Sequence, residues 1–145
     1  MVVKSDTYAE SKEKSKNLME SDFSGYSKLC EEVLSLEGVR YCAARDELGS
    51  EIAGGQKKGI ERMESDEERE GSEHRVVIMS GLMDSFPSSF GSPYSLSVKF
   101  GNLAMFVFPV TKRISVHVTI EPDLSPEFTT KIERMIENWK NGNPT

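Results

Sequence analysis

Between Tyr94 and Glu121, three successive runs carry the clearest hydrophobic pattern in the chain. Tyr94, Leu96, Val98 and Phe100 alternate with Ser95, Ser97 and Lys99. Leu103 to Val110 is apolar throughout. Ile114, Val116, Val118 and Ile120 then alternate with Ser115, His117 and Thr119. A period of two marks a strand with one buried face, and an unbroken apolar run marks a strand covered on both. Gly101-Asn102 is a two-residue hairpin signal and Lys112-Arg113 a second turn, so the runs form an antiparallel meander. These turns predict the pairs Leu96/Val107, Val98/Met105, Val107/Val118 and Met105/Ile120. The apolar sets of three strands then share one face. Phe106 and Phe108 fall on the other, among Ser95, Ser97, Lys99, Ser115, His117 and Thr119.

Upstream, Tyr26, Leu29, Cys30, Val33 and Leu34 recur at helical spacing and predict a helix from about Ser24 to Leu36, with Gly38 just past its end. A strand follows from Val39 to Arg45, with Val39, Tyr41 and Ala43 on one side and Arg40, Cys42 and Ala44 on the other. Glu47-Leu48-Gly49-Ser50 reads as a hairpin turn into a short strand through Ile52 and Ala53 that ends at Gly54-Gly55. Ser65 with Glu68 makes a capping-box pattern. It predicts one helix over about Asp66 to Ser85, charged in its first half and apolar in its second. A strand over Val76 to Met79 is the competing reading, and Gly71 weakens the helix. The last helix opens at Ser125-Pro126-Glu127 and carries the stripe Phe128, Ile132, Met135, Ile136 and Trp139.

The predicted fold is α+β: one five-stranded antiparallel sheet with helices on both faces, in the order α-β-β-α-β-β-β-α. Residues 23–140 make a single domain. Residues 1–22, with nine charged residues and few large apolar ones, are read as a mobile N-terminal tail. A docked helix through Tyr8, Leu18 and Met19 is the alternative. Residues 141–145 are read as a C-terminal tail.

Composition removes several function classes. Of 145 residues 37% are hydrophobic and 29% charged, and the formal net charge is −6. Basic residues occur as isolated doublets, Lys57-Lys58 and Lys112-Arg113, with no basic stripe, which argues against nucleic-acid binding. No apolar run is long enough to span a membrane, and the N-terminus turns polar at once, so the expected compartment is the cytoplasm. Cys30 and Cys42 are expected as two buried thiols and not a disulfide.

No motif supports catalysis. The glycines Gly49, Gly54, Gly55 and Gly59 lack the Lys-Ser/Thr that a phosphate-binding loop needs. His74 and His117 have no metal ligand at the right spacing, and no base stands beside Cys42. No catalytic residue, cofactor or metal is therefore predicted, and the protein is expected not to be an enzyme.

Two surfaces attract attention instead. Phe106 and Phe108 in a polar field need a cover. The middle helix supplies Val76, Met79, Leu82 and Met83 for it. A small-ligand cleft containing Phe106, Phe108 and His117 is the alternative use of that space. The strand carrying Tyr94, Leu96 and Val98 is predicted at the sheet edge, with only Lys99 to protect it. Together with Val77, Ile78 and Met83 of the helix, it offers a two-fold patch for a homodimer.

The chain resembles the roadblock/dynein-light-chain fold and, within that group, an uncharacterised family of small archaeal proteins. The resemblance rests on Gly38-Val39-Arg40-Tyr41, Leu48-Gly49, Ile52-Ala53-Gly54-Gly55, Gly59-Ile60, Asp66-Glu67-Glu68-Arg69 and the run Ala104 to Pro109. It covers about Leu29 to Ile136. Glu70-Gly71-Ser72-Glu73 departs from the family pattern, which has more apolar residues there. The resemblance implies a non-enzymatic dimer that serves as a scaffold or adaptor, with a small GTPase as a partner, and it carries no catalytic residues to transfer.

Overall fold

A computed structural model of the chain describes residues 23–142. The readings made for residues 1–22 and for residues 143–145 of the expected C-terminal tail lie outside the described residues, whereas Asn141 and Gly142, read as part of that tail, belong to the last helix. Helix α1 spans residues 23–34. It is followed by strands β1 (Val39–Arg45) and β2 (Glu51–Gln56), helices α2 (Asp66–Glu70) and α3 (Ser72–Asp84), and a 3-10 turn at Ser88–Phe90. Strands β3 (Leu96–Lys99), β4 (Ala104–Pro109) and β5 (Ser115–Ile120) and helix α4 (Pro126–Gly142) complete the order. All strand pairs are antiparallel, in the order β2-β1-β5-β4-β3. The last strand therefore pairs inward with β1 and leaves β3 at one edge, as the alternation predicted.

One face of the sheet carries the main core. Tyr26, Leu29, Cys30 and Val33 of α1 and Ile132 and Ile136 of α4 bury Cys42, Ala44, Phe108, Val116, Val118 and Ile120. Phe128, Met135 and Trp139 of the predicted α4 stripe pack against the same cluster. The opposite face is covered more thinly by α2 and α3, of which Val76 alone is fully buried among their residues.

Three predictions are corrected. The first is the register between β4 and β5. Val107 pairs with His117, Phe106 with Val118 and Ala104 with Ile120, one residue away from the predicted pairs. The turn is longer by one residue: Thr111, Lys112 and Arg113 loop out, with the Val110 N–H donating to the Ile114 carbonyl at 2.9 Å. Thr111 Oγ1 accepts from the N–H groups of Arg113 and Ile114, each at 3.0 Å, and so fixes the wider loop. A one-residue shift exchanges faces. Phe106 and Phe108 consequently enter the main core, stacked 6.2 Å apart, while His117 and Thr119 face α2 and α3. The β3–β4 register, Leu96 with Val107 and Val98 with Met105, is as predicted.

The second correction concerns β1. Val39 pairs with Ile120 and Tyr41 with Thr119, which leaves Arg40 as a bulged extra residue. The bulge places Val39 on the core face with Cys42 and Ala44, and not with Tyr41 and Ala43. The third concerns the middle helix, which is two pieces. Gly71, at φ −83° and ψ −2°, is a turn residue that stays right-handed but separates α2 from α3. The capping box is present: Ser65 Oγ accepts from Glu68 N–H at 3.1 Å, and Glu68 Oε1 accepts from Ser65 N–H at 2.9 Å. It stabilises only the five residues of α2.

Candidate functional site

The thinly covered face holds a cleft of about 630 Å³ between the sheet and α2–α3. Its floor begins with β1, where alternation past the bulge turns Tyr41 and Arg45 away from the core. Arg45 is buried and held on three sides. Its Nη1 donates to the Gly49 carbonyl at 2.7 Å, its Nη2 to Tyr41 Oη at 2.8 Å and to Glu51 Oε2 at 3.3 Å. Tyr41 Oη donates to Glu51 Oε2 at 3.1 Å. Burial pushes the Tyr41 phenol well above its ordinary range, with the Glu51 carboxylate adding to the effect and Arg45 opposing it.

His117 lies beside them on β5, with 4% of its surface exposed. Its Nε2 meets Ser115 Oγ at 2.8 Å. Burial, and then the Arg45 charge, lower its pKa to about 4, so the ring is neutral at physiological pH. Arg40, released toward the cleft by the bulge, donates to Glu121 Oε1 at 2.9 Å and to the Glu61 carbonyl at 3.0 Å. On the helical side Arg75 binds Glu64 Oε2 at 3.0 Å and the Glu68 carbonyl at 3.1 Å.

The turn between β1 and β2 sets the position of α3. Gly49 has φ +84°, and a Cβ there would lie 2.8 Å from Glu73 Cα. Only glycine allows that backbone approach. On the other face a Cβ on Gly54, at φ +83°, would lie 2.9 Å from Cys30 Sγ. Cys30 and Cys42 are both buried and free, as expected. A hydrogen bond with Cys30, together with burial, holds the Cys42 thiol well above its usual range. Cys42 faces the main core and His117 the cleft, so the sheet separates them.

The residues predicted for a dimer surface divide. Leu96 and Val98 are half-buried on the edge strand, on the cleft side with Val107 and Met105. Val77 and Ile78 are exposed on α3, and Met83 is half-buried. Leu82, predicted as part of a cover, is instead 51% exposed. Tyr94 is exposed outside β3 and turns toward α4, where partial burial and the carboxylates of Glu137 and Glu133 raise its pKa. Phe86 and Phe90, absent from the prediction, extend the exposed apolar surface; their rings stack at 6.4 Å. The predicted ligand set Phe106, Phe108 and His117 does not converge, because the β4–β5 register puts the phenylalanines and the histidine on opposite faces. The arginines of the cleft were missed. Their signal was Arg40 and Arg45 in a strand otherwise built of small and apolar residues.

No family model matches the sequence, and no curated protein is detectably similar to it. Solved structures are similar in fold. One described as MglB with a tetrameric arrangement superposes with a TM-score of 0.64 at 10% identity, covering 83% of this chain and 89% of that one. The gliding protein MglB from Thermus thermophilus gives 0.59 at 9% identity over 84% and 93%. A roadblock/LC7 domain from Streptomyces avermitilis gives 0.56 at 10% identity over 80% and 92%. The chain thus has the roadblock/LC7 fold that the sequence resemblance implied. Among the described residues no helix is long and apolar enough to cross a membrane.

Proposed function

We propose that this protein is a non-enzymatic interaction module, a homodimer that scaffolds or regulates a signalling partner, with a small GTPase as the first candidate. The observations that carry this reading are the exposed outer side of α3 and the free edge of β3. Ile78 and Leu82 are each more than half exposed, and Val77 nearly so. Large apolar residues on neighbouring turns of one helix mark an interaction surface in a monomer-sized domain. The β3 edge adds unpaired N–H and C=O groups, which a second copy satisfies by pairing β3 with β3 across a two-fold axis. The tetrameric arrangement of one structural neighbour supports self-association in this fold. The GTPase partnership is supported only by the roadblock resemblance. Two free buried thiols suit the reducing cytoplasm.

Amide hydrogen exchange at two protein concentrations tests the surface. Residues 95–100 are expected to exchange more slowly in the concentrated sample, because pairing covers the edge amides. Equal exchange at both concentrations contradicts edge pairing. Binding to small GTPases loaded with GDP or a GTP analogue then tests the partner.

A further inference from the structure

The side of α3 turned toward the sheet is distinct from the side assigned to dimerisation. Val76 and Met79 line the cleft, whereas Val77, Ile78 and Leu82 do not. The cleft volume, about 630 Å³, falls within the range of small-molecule sites, roughly 300–1,000 Å³. Its charge runs against that of the chain. Five arginines and three glutamates line it, in a protein of net charge −6. Glu51, Glu121 and Glu64 hold Arg45, Arg40 and Arg75. Arg62 and Arg69 line the same cleft, and their side chains have neither a hydrogen bond nor an ion pair among the described residues.

The floor offers polar atoms of its own. His117 uses Nε2 on Ser115, and its Nδ1 has no partner among the described residues. Thr119, two residues along on the same face, has none for its hydroxyl. Buried polar groups in folded proteins almost always have partners. Met63, Met79 and Met105 give the remaining wall an adaptable apolar part.

We infer that this cleft binds a nucleotide-sized organic anion. Its phosphate or carboxylate head is held by Arg62 and Arg69, its polar atoms meet His117 and Thr119, and its apolar body lies on the three methionines. Guanidinium groups suit either head, because both present paired oxygens to the planar donor fork. The inference is independent of the dimer, since the two surfaces occupy different sides of α3.

Titration calorimetry on the full chain tests it, with adenosine monophosphate and decanoate as separate probes and adenosine as the uncharged control. One site per chain is expected for at least one anionic probe, and the probe that binds identifies the head group. Raising the salt is expected to weaken that binding, because arginine–anion attraction is screened. Arg62→Gln with Arg69→Gln is expected to lower the affinity about tenfold or more. Both side chains are exposed, so the fold is retained. Lys112→Gln with Arg113→Gln removes the same charge at a turn that does not line the cleft, and is expected to leave affinity unchanged. Failure of both anionic probes at about 1 mM, a range far weaker than ordinary cofactor sites, overturns the inference. So does adenosine binding as tightly as its monophosphate, or an equal loss in the two double variants.

Discussion

Trp139 of α4 packs on Tyr26 of α1, with ring centroids 4.8 Å apart and planes inclined at 42°. This tilted contact joins the two helices that cover the main core. Tyr26 is almost fully buried and Trp139 half-buried. Truncation of the indole removes both packing area and the ring pair. Trp139→Ala is expected to cost about 2 kcal/mol, less than a fully buried Trp, with Trp139→Phe recovering most of it. Urea unfolding measures both. Trp139 is the only tryptophan, so native emission is expected to be blue-shifted from that of the unfolded chain. Equal native and unfolded wavelengths would contradict the contact.

His117 makes stability depend on pH. Its folded pKa, about 4, lies below the ordinary 6.5, because burial penalises the charged ring. The unfolded chain therefore binds the proton more readily. The contribution is fully present above about pH 6.5 and is lost as pH falls toward 4, a change of about 3 kcal/mol. Urea midpoints between pH 7 and 4 are expected to fall accordingly. His117→Gln should flatten that part of the profile. A wild-type profile no steeper than the variant's would show that the ring is not buried as described.

Gly49 is where the β1–β2 turn meets α3. At φ +84° an added Cβ is strained by the backbone itself and crowds Glu73 as well. Gly49→Ala is expected to cost about 1–3 kcal/mol. Gly59 has φ +82° with open space around it. Gly59→Ala is expected to cost only the backbone part, about 1 kcal/mol. Equal losses in the two variants would mean that α3 does not rest on the turn.

The strand order was legible because β3 and β5 alternate cleanly, β4 between them is apolar throughout, and Gly101-Asn102 allows only a short turn. The β4–β5 register was not. Lys112-Arg113 resembles a two-residue turn in sequence, but the Thr111 hydroxyl accepts two N–H groups and closes a three-residue loop. That single residue carried Phe106 and Phe108 from an imagined cleft into the core. The helix break at Gly71 was visible as a glycine, but a capping box six residues earlier reads the same for a short helix as for a long one. The cleft between the sheet and the middle helix was expected, with His117 in it, but the place of Arg40 in its lining was not legible. A bulge at Arg40 cannot be seen in an alternating pattern, and without it Arg40 falls on the Cys42 face.

The central claim is self-association through the β3 edge and the outer side of α3, and sedimentation equilibrium tests it most directly. The expected result at micromolar concentration is a species of about 32 kDa, twice the chain mass of 16.2 kDa. Leu96→Lys with Ser97→Pro puts a charge and a missing N–H on the edge and is expected to return the monomer mass. A single 16.2 kDa species for the wild-type chain across the whole concentration range would contradict the claim.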